Sequence, residues 1–325
     1  MKGGKGLPVS AYTRTARTGS QRITGVADPA AVYREFEAGA TIVLQGLHRY
    51  WLPLARFCRD LEIALGHPTQ ANAYITPPGS QGLAVHSDEH DVFVLQVHGS
   101  KRWQVYRPEP KLPPERVPAI DAELHRGDCL YIPKGFPHAA STQERVSAHV
   151  TVGILSYTWM DLIHDVVRQA ESEPEFAAPV PVRFAEDLDR LRIQAEDRLR
   201  SFQAWLDKQE PGEAAERLAR RFLTGRRPIL AGQLQQLDLI GSISDSTRIR
   251  RRPGTMCVIR QTDQEIAVFL GDRELRMPAW VRPAVETVAD APELAVEDLA
   301  PHLDHDGRLV LVRRLLREGL LEVTW

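Results

Sequence analysis

The sequence predicts an α+β protein in which a barrel of antiparallel strands is followed by helices. Between Asn72 and about Leu155, apolar and polar residues alternate. Gly and Pro interrupt the alternation about every eight to twelve residues, which is typical of a jelly-roll barrel. After Tyr157 the apolar residues recur at steps of three and four, which indicates helices. A length of 325 residues suits about two domains.

Composition is that of an ordinary globular protein, with 43% hydrophobic and 26% charged residues and a net charge of −2. The chain as a whole is therefore no polyanion binder. No apolar run is long enough for a membrane span, and the three cysteines are far apart, as expected for reduced thiols. We therefore expect a cytoplasmic protein without a membrane segment.

Residues 1–27 contain five basic residues and no acidic one. The basic residues are Lys2, Lys5, Arg14, Arg17 and Arg22. We interpret this segment as a solvated, flexible terminus. The alternative is an arm that contacts an acidic or RNA-rich partner.

The predicted elements before the barrel are two helices and a short strand. Asp28 is a suitable N-cap and Pro29 a suitable first-turn residue for a helix that stops near Gly39. Residues 41–44 predict a strand. Residues 53–65 predict a second helix, which Gly66 ends.

Within the barrel, strands are predicted at residues 92–97, 102–107, 129–132 and 145–155. A proline-rich stretch at 108–118 predicts a surface loop that would reshape the entrance to the barrel. Helices are predicted at 159–171 and 186–209. The second has a narrow apolar stripe of the coiled-coil type, which predicts that residues 157–210 form a homodimer. The alternative is that these helices pack within the chain. The stripe consists of Leu188, Leu191, Ala195, Leu199, Phe202 and Leu206.

Residues 225–325 predict a separate small domain. Helices are expected at 232–238 and 308–318, and strands at 256–260 and 266–270. Its fourteen basic and fifteen acidic residues give a net charge of −1. A nucleic-acid-binding domain is normally strongly basic, so we do not expect direct nucleic-acid binding despite the cluster Arg248, Arg250, Arg251 and Arg252.

The candidate metal site begins with His86 and Asp88. Side chains two residues apart in a strand leave the same face, so both are expected to reach one metal ion. His138 is the candidate for the third ligand. Two histidines and one carboxylate suit non-haem Fe(II) and leave open positions on the metal. A Zn or Mn site without an organic cosubstrate remains an alternative, and His90 is either a fourth ligand or a residue that lines the entrance.

Four segments in order resemble the JmjC-type cupin oxygenases known as ribosomal oxygenases. They are the run from Asn72 and Tyr74 to Gly82, the His86-x-Asp88 motif, the run from Val94 through Lys101 to Tyr106, and the run from Gly127 to His138. The resemblance implies a double-stranded β-helix (jelly-roll) barrel at 28–156, a helical dimerisation region at 157–224 and a winged-helix-like domain at 225–325.

The resemblance also implies a chemistry. His86, Asp88 and His138 would bind Fe(II), and Lys101 would bind the distal carboxylate of 2-oxoglutarate. Asn72 and Tyr74 match positions that help to hold this cosubstrate. The second cosubstrate would be O₂. A buried ammonium needs a counterion, which a dicarboxylate supplies.

The substrate implied by the resemblance is a histidine or arginine side chain of a ribosomal protein. Two alternatives stay open. One is a hydroxylase of a small molecule or a natural-product peptide or amino acid, and the other is a non-catalytic cupin that serves as a binding module.

Overall fold

The computed structural model describes the backbone of residues 7–8, 13–18, 21–108 and 117–324. Side chains are described from Asp28 onward within those ranges. The basic side chains of residues 1–27 and most of the proline-rich loop lie outside the described residues, so the predictions for them stay predictions.

The described strands and helices fall into three blocks along the chain. The first block contains β1 (Leu7–Pro8), β2 (Thr13–Thr18), β3 (Gln21–Ala27), α1 (Pro29–Glu37), β4 (Ile42–Leu44), α2 (Leu52–Leu65), β5 (Thr69–Thr76), β6 (Asp91–His98), β7 (Ser100–Val105), β8 (Ile120–His125), β9 (Cys129–Ile132), β10 (His138–Thr142) and β11 (Ser147–Ile154). The second contains α3 (Trp159–Ala170), α4 (Pro174–Ala177), α5 (Leu188–Leu206) and α6 (Pro211–Thr224). The third contains α7 (Gln233–Asp238), β12 (Arg248–Arg251), β13 (Val258–Gln261), β14 (Glu265–Phe269), β15 (Glu274–Pro278), α8 (Arg282–Asp290), β16 (Leu294–Ala295), α9 (His305–Arg317) and β17 (Leu321–Val323).

The barrel consists of two facing sheets. One has the strand order β1-β4-β5-β11-β6-β9, and the other has the order β10-β7-β8. Apolar side chains from both sheets, including Val94 of β6 and Trp103 of β7, form one buried cluster between them. The predicted strands are therefore confirmed, and the jelly-roll prediction agrees with this arrangement.

Strands β5 and β11 form a wall between the apolar cluster under α2 and the interior of the barrel. Ala71 and Ala73 of β5 and Val150 and Val152 of β11 pack against Leu54 of α2 on the outer face. Because side chains alternate along a strand, the residues between them point into the barrel. This alternation places the polar side chains of both strands where a ligand can be held.

The two predicted N-terminal helices are confirmed. Asp28 caps α1, since its carboxylate accepts hydrogen bonds from the backbone N–H groups of Ala30 and Ala31. Gly66 ends α2 in the left-handed conformation, with φ of 69°.

The helix predicted over 186–209 is confirmed as α5, but its apolar stripe faces solvent. α5 has no buried residue, and Leu188 and Leu199 are 69% and 68% exposed. α3 packs against α6. No helix in the described part of the chain is both long and apolar enough to cross a bilayer.

The third block has its own core, built around two three-stranded sheets and helices α8 and α9. Sequence patterns missed β12, β15, α6 and α8, and placed the start of α9 three residues late. The four clustered arginines all have partners: Arg248 pairs with Glu293, Arg250 with Glu322, and Arg251 and Arg252 donate to backbone carbonyls.

A buried arginine connects the barrel to the third block. Arg59 of α2 pairs with Glu62 at 2.9 Å and donates to the carbonyls of Gly254 and Arg227 at 3.0 and 2.6 Å. Glu62 also accepts from Arg226 at 3.2 Å. All the guanidinium nitrogens of Arg59 therefore have partners, which offsets the cost of burying its charge.

The turn between β6 and β7 generates the first prediction. Gly99 and Gly79 have nearly the same left-handed backbone, with φ of 62° and 61°. A Cβ at Gly99 would overlap the carbonyl oxygen of Val146, whereas one at Gly79 would meet nothing within 4 Å. Gly79→Ala should cost about 1–2 kcal/mol of unfolding free energy, and Gly99→Ala about 3 kcal/mol or more.

Urea unfolding of both variants measures the difference. Because the backbone penalty is common to both, the excess at Gly99 reports the overlap with Val146. Equal losses would show that this close approach does not constrain the turn.

Candidate metal site

His86 and Asp88 lie in the loop between β5 and β6, so the prediction that they share a strand is wrong. Pro77 and Pro78 lack backbone N–H groups, which ends β5 at Thr76. Instead, His86 and His138 form an isolated antiparallel bridge. The N–H of His86 donates to the carbonyl of His138 at 3.2 Å, and the reverse bond is 2.8 Å.

This bridge brings the three candidate ligands together. Possible ligand atoms of His86, Asp88 and His138 all lie within 4.8 Å of one another. His138 Nε2 is 3.7 Å from an Asp88 carboxylate oxygen, and the centroids of the two imidazoles are 4.4 Å apart. The N–H of Gly135 donates to the Asp88 carbonyl at 2.9 Å, which fixes the loop on the other side of the group.

Backbone carbonyls orient both imidazoles for metal binding. Nδ1 of His86 donates to the Ala84 carbonyl at 2.8 Å, and Nδ1 of His138 donates to the Phe136 carbonyl at 3.0 Å. Each ring is thereby left with a lone pair on Nε2, as is usual for ligating histidines. Burial lowers the pKa of His138, which favours the neutral ring. Two neutral imidazoles and a carboxylate fit Fe(II).

The three residues line a cavity of about 200 Å³ inside the barrel, which we call the inner cavity. It is also lined by Thr41, Gln70, Asn72, Tyr74, Gly82, Leu83, His90, Val92, Val94, Lys101, Trp103, Ala140, His149 and Thr151. Asn72 and Tyr74 come from β5, and Lys101 and Trp103 come from β7. Both sheets of the barrel therefore contribute to one enclosed space.

Lys101 is buried in this cavity and is only 2% exposed. Its ammonium donates to the Thr76 hydroxyl at 2.8 Å, and that hydroxyl lies 3.0 Å from the hydroxyl of Thr41. In the described part of the chain, no carboxylate pairs with it. Burial lowers the pKa of Lys101 to about 7. An amine held this way is suited to receive an anion.

Two further polar groups in the inner cavity lack a partner in the described part of the chain. They are Nδ1 of His149 and Nε1 of Trp103. The His149 ring stacks on Tyr74 with centroids 4.9 Å apart, and it meets the edge of Trp103 at 5.1 Å. Burial holds the pKa of His149 well below its ordinary value, so the ring is neutral. Buried polar groups normally have partners, which points to a bound ligand.

Asn72 and Tyr74 occupy the middle of the cavity wall. The side-chain oxygen of Asn72 accepts from the N–H of Gly46 at 2.9 Å, which fixes the amide. Burial, and next the charge of Asp88, raise the pKa of Tyr74. Tyr74 therefore stays a neutral donor close to the candidate metal ligands.

The remaining histidines are placed apart from the metal ligands. His90 is not among the grouped ligand atoms, and its ring contacts Gln70 instead, at 3.3 Å. His98 and His125 are exposed at strand ends. Sequence reasoning did not single out Thr76, Trp103 and Gln70. The signal that could have found them is the alternation of side chains along β5 and β7. Residues an even number of positions from Tyr74 or Lys101 face the interior together with them.

Comparison with known proteins places the chain among oxygenases. Residues 48–162 match the JmjC domain family. A Dictyostelium discoideum protein named bifunctional lysine-specific demethylase and histidyl-hydroxylase NO66 is 30% identical over 93% of this chain and 69% of its own length. Human ribosomal oxygenase 1 is 31% identical over 57% of this chain and 32% of its own length.

Solved structures show the same fold. The crystal structure of the Escherichia coli ribosomal oxygenase YcfD has a TM-score of 0.52 with 21% identity, over 95% of this chain and 85% of that one. A structure of YcfD in complex with cobalt and 2-oxoglutarate has the same TM-score with 20% identity, over 96% and 85%.

Proposed function

The chain belongs to the JmjC ribosomal oxygenases, and we propose that it is an Fe(II)- and 2-oxoglutarate-dependent dioxygenase that hydroxylates a side chain of a ribosomal protein. The observation that carries the proposal is the Lys101 ammonium, which is buried without a counterion from the described residues in the cavity that contains His86, Asp88 and His138. The names of the relatives favour histidine as the target over arginine.

Each residue has a defined role in this proposal. His86, Asp88 and His138 would hold the metal, and their arrangement would leave its other positions open. When bound together, Fe(II), 2-oxoglutarate and O₂ supply an oxidant able to hydroxylate an unactivated C–H bond, with release of succinate and CO₂. Lys101 would bind the distal carboxylate of 2-oxoglutarate.

The rest of the inner cavity would hold the cosubstrate in one orientation. The unpartnered nitrogens of His149 and Trp103 and the hydroxyl of Tyr74 would provide hydrogen bonds to its oxygens. Apolar residues from both sheets surround these groups and keep water out. A fixed orientation and the exclusion of water are what the protein contributes to such a reaction.

We also propose that the chain is a homodimer and that residues 225–325 form a winged-helix-like domain. The apolar residues Leu188, Leu199 and Leu206 of α5 support the first part, since they stay exposed although Phe202 and Trp205 of the same helix pack against Phe176 of α4. The paired arginines of β12 support a role for the last domain other than direct nucleic-acid binding. A cytoplasmic location fits the reduced thiols expected for Cys58 and Cys257.

Mass spectrometry tests the reaction. Incubation with Fe(II), 2-oxoglutarate and ribosomal proteins from a strain lacking this chain should add one oxygen to a ribosomal protein and form succinate. His86→Ala and Asp88→Ala should abolish both, because each removes a metal ligand, whereas His98→Ala, at an exposed strand end, should retain both. If succinate forms and the only substrates oxidised are those of a metabolite extract, a small-molecule hydroxylase would be favoured. If no succinate forms at all, a binding module would be favoured.

The affinity for 2-oxoglutarate should fall as pH rises, because the ligand needs the protonated amine of Lys101. A pKa of about 7 in the free protein predicts a loss of about tenfold between pH 6 and pH 8. Isothermal titration of the metal-loaded protein measures this loss.

Lys101→Arg is the matched control, since a guanidinium stays charged at both pH values. The affinity ratio between the native protein and this variant removes any pH dependence of the metal ligands. Lys101→Met should bind weakly at every pH. A constant affinity ratio from pH 6 to pH 8 would show that the distal carboxylate of 2-oxoglutarate binds a group other than Lys101.

The dimer is tested by analytical ultracentrifugation. Leu199→Glu places a charge in the exposed apolar stripe of α5 and should shift the protein toward monomer. Asp197→Asn also changes the charge by one unit, on the opposite side of the helix, and should leave the dimer intact. A native protein that sediments as a monomer would refute the pairing.

A further inference from the structure

The inner cavity borders a second, larger one. This outer cavity has a volume of about 850 Å³ and is lined by the start of α2, the start of β5, residues 155–157 and the linker at 225–231. Gln70 and His90 line both cavities. We call this pair the neck, since its two side chains lie between the two cavities.

The neck lies at the opposite end of β5 from Lys101. Thr76, at one end of the strand, accepts the hydrogen bond from Lys101, and Gln70, near the other end, contacts His90. Six residues of a strand span about 20 Å. The charge of Asp88 acts on Tyr74 between the two ends. A cosubstrate that reaches from Lys101 to the metal ligands would therefore leave the neck side of the cavity free.

His90 is held in a defined orientation at the neck. Its ring lies against Gly153 of β11 so closely that a Cβ there would overlap it. The side-chain amide of Gln70 donates to Nε2 of His90 at 3.3 Å. Because an amide nitrogen only donates, Nε2 of His90 accepts this bond, which places the ring proton on Nδ1. The neck thus presents a donor, Nδ1–H of His90, next to an acceptor, the side-chain oxygen of Gln70.

The residues around the outer cavity are of the types that bind polypeptides. Tyr50 and Trp51 are 80% and 53% exposed at its edge. Arg49 and Arg227 also line it and have no ion-pair partner among the described residues. Tyr, Trp and Arg are the residues most enriched at the centres of protein–protein interfaces.

We propose that the outer cavity binds the polypeptide segment that carries the hydroxylated residue, and that His90 and Gln70 hydrogen-bond to the peptide group of that residue. The inference rests on the proposed function and adds two positioning residues to it. The target side chain enters the inner cavity, its peptide group lies at the neck, and the flanking residues lie in the outer cavity.

The volumes of the two cavities favour a polypeptide over a free amino acid. The inner cavity has a volume of about 200 Å³. Once the cosubstrate is bound there, the remaining space admits little more than one side chain. A free amino acid would use only this space, whereas a polypeptide needs room for its flanks directly outside. A donor beside an acceptor also matches a peptide group, which has one of each.

Steady-state kinetics with the ribosomal-protein fraction as the probe tests the proposal. His90→Ala and Gln70→Ala should each raise KM roughly three- to tenfold, as expected for the loss of one hydrogen bond. Gly153→Ala should have a similar effect, because it displaces the His90 ring without removing it. His90→Asn should restore most of the affinity, since its amide keeps a donor near the position of Nδ1. In each variant KM should change more than kcat, because the lost hydrogen bond positions the protein substrate rather than the cosubstrate.

His98→Ala is the matched control, because His98 is exposed and lines neither cavity. Variants of His90, Gln70 and Gly153 with the same KM as this control would overturn the proposal. Oxidation of a metabolite extract in place of the ribosomal proteins, or a native protein that forms no succinate, would instead contradict the proposed function.

Discussion

The burial of the Lys101 ammonium is the constraint on which the site depends. Among the described residues it donates to the Thr76 hydroxyl, which in turn meets the hydroxyl of Thr41, so the barrel bears the cost of an incompletely compensated charge in the absence of an anion. Residues that would lower this cost, such as an aspartate in place of Thr76, would also compete with a ligand carboxylate. The structure therefore sacrifices some stability in this cavity for the ability to bind an anion.

Stability elsewhere compensates for this cavity. β5 and β11 bury small and branched residues against α2 on one face and direct their polar residues inward on the other. The same two strands thus stabilise the barrel and build the site. A single change on the outer face that shifted either strand would move Tyr74, His149 and Gln70 together, so packing and binding are closely linked.

The connection between the barrel and the third block gives the outer cavity its shape. Arg59 and Glu62 of α2 hold Arg226, Arg227 and Gly254 through side-chain and backbone contacts. The linker that follows α6 is thereby fixed against the start of α2, which forms one wall of the outer cavity. Neither block alone would form this wall, so the entrance to the barrel belongs to the whole chain.

The sequence by itself determined the period-two barrel strands, the capped helices α1 and α2, and the residue types of the site, because alternation, caps and glycine ends are local properties. It misplaced His86 and Asp88 on a strand and missed β12, β15 and α8. Only the tertiary structure decided that a backbone bridge between His86 and His138 joins the candidate ligands, that His90 turns to Gln70, and that His149 and Trp103 keep unpartnered nitrogens. These features depend on contacts between residues far apart in the chain, and local patterns contain no information about them.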